Sequence, residues 1–188
     1  MNRIPIPVQL LDFAKQFETS RIDVNSLVKD IDESAFNRRH LKKGWSIAEC
    51  IYHLNVTGFD YTSQIEKGLE KAQTKNLIRK GPYKYSWFGR IFISNIEPPV
   101  RFKGKSPVRW QPQSGLPKDK TINDYNLLQD RWIELLDKSK EFDISKVKLP
   151  SPATKLLKFS IFEMFHVNAA HQRRHLWQAK NVKDNIAK

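Results

Sequence analysis

The stretch "GWSIAECIYHLN", residues 44–55, contains the clearest helix start in the chain. Ser46 and Glu49 have the S-x-x-E spacing of a capping box, in which each of the two side chains bonds the backbone of the other residue. Apolar residues then recur at steps of three and four, which is the period of an amphipathic helix. The pattern predicts a helix over 46–72 with a wide apolar face.

The same periodicity predicts three more helices, over 7–31, 121–140 and 155–181. No alternation typical of strands is sustained, and no internal repeat is present. A chain of 188 residues is the size of one domain, so we expect a single domain over 1–188. Four main helices favour an all-α fold, a four-helix bundle.

A long connection separates the second and third predicted helices. Six of the ten prolines lie in residues 79–120, together with seven aromatic and ten basic residues, so this segment cannot be one helix. A short helical or strand piece fits at 85–95. An ordered connection of this length is often functional, and three roles stay open. It could cover one end of the bundle, line the mouth of a site, or bind single-stranded nucleic acid by stacking on Tyr83, Tyr85, Trp87 or Trp110.

Composition narrows the class of protein. The single cysteine, Cys50, excludes an internal disulfide framework and is predicted to be a buried thiol. No apolar run is long enough to span a membrane, and the N-terminal stretch lacks the apolar core of a signal peptide, so we expect a cytoplasmic protein. The net charge of +13 favours anionic partners. The basic residues are spread along the chain without a nucleic-acid-binding motif, which argues against nucleic acid.

Two histidines stand four residues apart on the last predicted helix. His171 and His175 therefore share one face, with Cβ atoms about 5–6 Å apart, a spacing that allows both to bind one divalent ion. Residue 172 is Gln, where zinc proteases have a catalytic Glu, so the protease motif is excluded. His53, on a polar stripe of the second helix, is the candidate third ligand. The alternative is a solvated pair and a hydrogen-bonded core histidine.

Four other polar residues are candidates for catalysis or substrate binding. Glu49 has a competing role in its capping box, and Asp60 is a more available acid about two turns from His53. Arg174 could bind an anionic substrate or lie on a solvated helix edge. Gln178 could orient a ligand histidine or lie on the surface.

Three segments resemble the DinB/YfiT-like superfamily. "GWSIAECIYHLN" resembles its W-S-x-x-E-x-x-x-H-L segment, and "HVNAAHQRRHLWQ", residues 166–178, resembles its closing H-x-x-x-H helix. "EPPVRFKGKSPVRWQP", residues 97–112, resembles the proline-punctuated link between helices two and three of many members. The order and separation of these segments extend the resemblance over essentially the whole chain.

The resemblance implies a four-helix bundle with a mononuclear divalent-metal site whose histidine triad maps onto His53, His171 and His175. It also implies a homodimer and, from characterised relatives, an S-transferase that uses a low-molecular-weight thiol. We therefore expect Zn²⁺ or Ni²⁺, with a small-molecule thiol and an electrophilic substrate as partners. A metal-dependent hydrolase is the first alternative. The second is a non-enzymatic module whose basic aromatic connection engages nucleic acid or an acidic partner.

Overall fold

The computed structural model describes residues 6–40, 44–99 and 106–186. Its elements in chain order are α1 (Val8–Val28), α2 (Glu33–Asn37), α3 (Ile47–Thr74), α4 (Trp87–Ile96), a 3₁₀ turn (Val108–Trp110), α5 (Lys118–Ser139), β1 (Lys148–Ser151), β2 (Thr154–Ser160) and α6 (Ile161–Ile186). No helix in these described ranges is both long and apolar enough to cross a lipid bilayer.

The four long helices α1, α3, α5 and α6 form the bundle that the sequence predicts. Helices α5 and α6 each pack against both α1 and α3. The core between them contains Phe17 of α1 stacked on Trp132 of α5, with ring centroids 5.0 Å apart and both side chains fully buried. This arrangement places α3 beside α6, the two helices that carry the candidate histidines.

The start of α3 confirms the predicted capping box. The Ser46 hydroxyl oxygen accepts a hydrogen bond from the Glu49 backbone N–H at 3.1 Å, and the Glu49 carboxylate accepts from the Ser46 N–H at 2.7 Å. The guanidinium of Arg39 also pairs with this carboxylate. The helix continues to Thr74, two residues past the predicted end. Cys50 is buried within it, as expected.

Two other predicted helices differ from the structure at their ends. The helix predicted over 7–31 ends at Val28, and the short α2 begins after Asp32, whose Oδ1 accepts from the Ala35 N–H at 2.7 Å. The helix predicted over 121–140 begins three residues earlier, directly after Pro117, and ends at Ser139. Proline has no backbone N–H, and the first N–H groups of a helix have no acceptor within the helix. A proline at the helix start therefore loses no hydrogen bond.

The prediction that the last helix begins at 155 is wrong. Residues 154–160 instead form β2, which pairs antiparallel with β1 in a two-stranded sheet. Helix α6 begins at Ile161 because Ser160 and Glu163 make the reciprocal bonds of a second capping box, at 2.8 and 3.2 Å. It then runs to Ile186, five residues past the predicted end.

The long connection contains a helix where a short helical or strand piece was predicted. Helix α4 packs against α6, and its capping residue Ser86 donates from both its backbone N–H and its hydroxyl to Glu163, at 2.7 and 2.6 Å. After α4, the chain returns to α3 through the 3₁₀ turn, where Trp110 is buried. Helix α4 and the 3₁₀ turn therefore lie over the side of the bundle where α3 meets α6.

Candidate metal centre

The structure brings together the three histidines that the sequence singles out. His53 comes from α3, whereas His171 and His175 lie one turn apart on α6. One ring nitrogen of each residue lies within 4.8 Å of the corresponding atoms of the other two. The Nε2 atoms of His53 and His171 are 3.3 Å apart. The arrangement follows from the packing of α3 on α6 and from the i, i+4 spacing on α6.

A backbone carbonyl sets the tautomer of His53. The Nδ1–H of His53 donates to the carbonyl oxygen of Trp110 at 2.9 Å. In a neutral imidazole one nitrogen is a donor and the other is an acceptor, so Nε2 keeps its lone pair and faces His171. This is the usual arrangement of a metal-ligating histidine, whose other nitrogen donates to a carbonyl or carboxylate.

Burial keeps all three imidazoles neutral. It lowers the pKa of His53, and the bond to Trp110 opposes this effect only in part. Burial and the neighbouring His53 and Arg174 lower the pKa of His171 to about 3. Burial, followed by the repulsion that protonated His171 and His53 would exert and by the charge of Arg174, holds the pKa of His175 well below its usual value. A hydrogen bond with Gln178 acts in the opposite direction. Neutral imidazole is the form that binds a metal.

The separation of two of the three histidine nitrogens fits a shared divalent ion. Two tetrahedral nitrogen ligands at about 2.0–2.1 Å from zinc lie roughly 3.3 Å from each other, and the two Nε2 atoms of His53 and His171 have this separation. The Nδ1 atom of His175 is buried and has no hydrogen-bond partner among the described residues. Imidazole nitrogens suit zinc and nickel.

A cavity of about 400 Å³ opens onto the triad. Aromatic rings form much of its wall, and Trp45 contacts both His53 and His175, with ring centroids 4.9 and 5.5 Å apart. Aromatic and polar side chains that line the cavity besides the triad include Trp45, Tyr61, Phe92, Trp110, Asn95 and Arg174. The site is therefore a mainly apolar pocket with a few polar groups, as small-molecule sites usually are.

The four other candidate residues occupy different places. Arg174 lines the cavity, and burial lowers its pKa. Gln178 lies beside His175. Glu49 is buried in the capping box of α3. Asp60 accepts a hydrogen bond from the indole Nε1–H of Trp110 at 2.7 Å, so this carboxylate faces a side chain of the connection.

Sequence reasoning missed the contribution of the 3₁₀ turn. Trp110 acts on His53 through its carbonyl group, and every residue carries a carbonyl, so no residue type marks this contact. The segment that carries Trp110 resembles the proline-punctuated link of the superfamily, and this was the available signal. Of the aromatic residues considered for stacking on nucleic acid, Tyr83 and Trp110 are buried and Trp87 is exposed.

Comparison with known proteins supports the same fold. A sequence model of the DinB superfamily matches residues 16–179, so the chain belongs to the DinB superfamily. The solved structure of YfiT from Bacillus subtilis matches with a TM-score of 0.63 and 12% sequence identity, covering 100% of this chain and 93% of that chain. That protein is described as "a probable metal-dependent hydrolase with an unusual four-helix bundle topology". No curated protein matches this chain.

Proposed function

We propose that this protein is a metal-dependent enzyme in which His53, His171 and His175 hold one divalent ion, Zn²⁺ or Ni²⁺. The observation that carries the proposal is the convergence of three neutral ring nitrogens at the end of a cavity. A site with three protein ligands leaves a coordination position open, as catalytic zinc sites do. The solved structure of YfiT has this fold, and that protein is described as a probable metal-dependent hydrolase. This description agrees with a metal site in the fold.

A bound divalent ion would supply Lewis-acid chemistry by lowering the pKa of a thiol or of water. Three residues of the chain would support this chemistry. The Trp110 carbonyl holds the Nε2 lone pair of His53 in the direction of the other ligands. The Trp45 ring covers two of the three histidines and limits the access of water. Arg174 places a positive charge on the cavity wall, where it would bind an anionic group of a substrate.

We favour transfer of a small-molecule thiol to an electrophilic substrate. Among the described residues that line the cavity, none is an Asp or Glu that could serve as a general base. A hydrolase commonly needs such a base to activate water, whereas a thiol with a lowered pKa is already a thiolate nucleophile at neutral pH. The apolar walls would hold the carbon skeleton of the electrophile. Hydrolysis is the second candidate, and the description of the solved relative favours it.

An assay with the zinc-loaded and nickel-loaded protein tests this proposal. The protein would be offered bacillithiol, mycothiol or glutathione together with a chromogenic aryl halide or a bimane electrophile, and separately an activated ester and an amide. We expect thiol transfer that His175→Ala abolishes. Ester or amide hydrolysis that depends equally on His175 would replace the transferase with the hydrolase. Rates that are equal in the wild type and in His175→Ala would contradict both.

A further inference from the structure

Trp110 contacts α3 at two points, about two helical turns apart. Its backbone carbonyl accepts the Nδ1–H of His53 at 2.9 Å, and its indole Nε1–H donates to Oδ2 of Asp60 at 2.7 Å. One contact uses the main chain and the other uses the side chain of the same residue. Together they determine both the position and the rotation of Trp110 relative to α3.

Neighbouring contacts reinforce this attachment. A guanidinium nitrogen of Arg109 lies 3.2 Å from the same Asp60 oxygen, and the guanidinium carbon lies 5.0 Å from the centroid of the Trp110 ring. Arg109 also donates to the carbonyl of Pro152 in the β1–β2 hairpin. The Trp110 side chain is buried, with only 5% of its surface exposed. Asp60 is thus the acceptor at the centre of a small network that ties the 3₁₀ turn to α3.

The ring of Trp110 is buried, but burial alone does not fix the direction in which its carbonyl points. Among the described residues, no backbone hydrogen bond joins α3 to the turn. Its own backbone bonds are short-range, from the Trp110 N–H to Pro107 and from the Gln111 N–H to Val108, at 2.9 and 3.0 Å. A shift of the turn would move the Trp110 carbonyl away from His53. The imidazole could then carry its proton on Nε2, and an N–H would point at His171 in place of a lone pair.

We propose that Asp60 is a positioning residue for the histidine site, which acts through Trp110 to hold His53 in the Nδ1–H tautomer. Asp60 does not line the cavity in the described part of the chain, so it acts on the site without touching a substrate. The effect on metal affinity rests on the proposed function. The effect on the tautomer is a property of the metal-free protein, so it does not depend on the proposed function.

The test combines three variants with a matched control. Asp60→Ala removes the acceptor, and Trp110→Phe removes the indole donor together with some ring volume while keeping an aromatic ring and the carbonyl. Asp60→Asn keeps an oxygen that can accept from the indole N–H. Glu70→Ala, an exposed acid on the same helix, is the control. The two readouts are the ¹⁵N–¹H correlations of the His53 ring in the metal-free protein and the zinc dissociation constant, measured by competition with a chelator.

We expect the metal-free wild type, Asp60→Asn and Glu70→Ala to show a His53 ring protonated at Nδ1. Asp60→Ala and Trp110→Phe should show a mixture of tautomers and bind zinc about 10- to 100-fold more weakly, the usual effect of losing a group that orients a ligand. Combining them should cost little more than either alone, because they remove the same bond.

If both Asp60→Ala and Trp110→Phe keep the wild-type tautomer, the positioning role is overturned. If Asp60→Ala does not fold, a wild-type tautomer in Trp110→Phe alone overturns it. If the wild type binds no zinc but the tautomer changes as expected, the proposed function fails and the positioning role stands. If the wild type binds zinc and both variants match it in affinity and tautomer, only the positioning role fails.

Discussion

The Nε2 atoms of His53 and His171 lie 3.3 Å apart, although 118 residues separate the two histidines in the sequence. Both rings are neutral because burial lowers their pKa values, and the His53 proton is already committed to the Trp110 carbonyl. The Nε2 lone pair of His53 therefore needs a partner, which either a proton on His171 Nε2 or a cation between the rings would supply. A cation between the two rings would supply this partner without protonating either imidazole.

Zinc should stabilise the folded protein. A ligand that binds only the native state at about 100 times its dissociation constant adds roughly 2.7 kcal/mol to the free energy of unfolding. We expect the melting temperature of the wild type to rise by several degrees with zinc and to fall again with a chelator. In His171→Ala the melting temperature should not respond to zinc. An equal response in both proteins would place the stabilising zinc elsewhere.

Binding of a paramagnetic ion should quench the fluorescence of Trp45. The Trp45 ring lies 4.9 Å from the His53 ring and 5.5 Å from the His175 ring, between centroids. Nickel titrated into the wild type should therefore reduce the indole emission, and Trp45→Phe should remove a large part of that change. The control is Trp87→Phe, since Trp87 is 79% exposed on α4 and does not line the cavity. Equal losses in the two variants would contradict the location of the ion.

Glu163 should make the stability of the fold depend on pH in the acidic range. Its carboxylate accepts four hydrogen bonds, two from Ser86 and two from Ser160, at 2.6–3.0 Å. Burial alone would raise its pKa, but these bonds outweigh burial and lower the pKa below the usual value. The contribution to stability is therefore complete above the unfolded-state pKa, about 4.5, and disappears as the pH falls toward the folded-state value.

Glu163→Gln measures this contribution directly. The amide cannot carry the negative charge that the four donors stabilise, so the variant should lose on the order of 2 kcal/mol at pH 7. The difference in unfolding free energy from the wild type should shrink below about pH 4. Urea unfolding at several pH values gives both quantities, with Glu70→Gln as an exposed control. A difference that is constant from pH 7 to pH 3 would contradict the ionised state of Glu163.

The stacked pair of Phe17 and Trp132 should be a major contributor to the bundle core. The two rings are nearly parallel, at 7°, and both are fully buried. Phe17→Ala should therefore cost about 3–5 kcal/mol through lost burial and an unfilled cavity. Trp87→Ala, at an exposed aromatic position, should change stability by less than about 0.5 kcal/mol. Chemical denaturation of both variants checks this, and a loss below about 1 kcal/mol for Phe17→Ala would contradict the packing described.

Local sequence signals account for the parts of the fold that were predicted. The Ser46–Glu49 capping box marks the start of α3, and the three- and four-residue apolar steps mark the bundle helices. The i, i+4 spacing of His171 and His175 needs only helical geometry to place both rings on one face. The polar stripe that carries His53, together with the superfamily resemblance, marks this residue as their neighbour.

The features that were missed depend on tertiary contacts or on competing signals. Residues 154–160 carry Leu156, Leu157 and Phe159, whose short spacings fit the first turns of a helix as well as a strand. Ser160 and Glu163 also have the S-x-x-E spacing of a capping box, and this local signal marks the true start of α6. The Trp110 carbonyl bond to His53 could not be read from the sequence, because it depends on where an irregular connection returns to α3.

The most direct test of the central claim is the metal content of the purified, untagged protein after incubation with zinc and gel filtration. Elemental mass spectrometry would be applied to the wild type, His53→Ala and His171→Ala, with His40→Ala as a control outside the triad. We predict about one zinc per chain in the wild type and in His40→Ala, and almost none in the two triad variants, all with the same circular dichroism spectrum. Stoichiometric zinc in a well-folded His53→Ala or His171→Ala protein, or none in the wild type, would contradict the three-histidine metal centre.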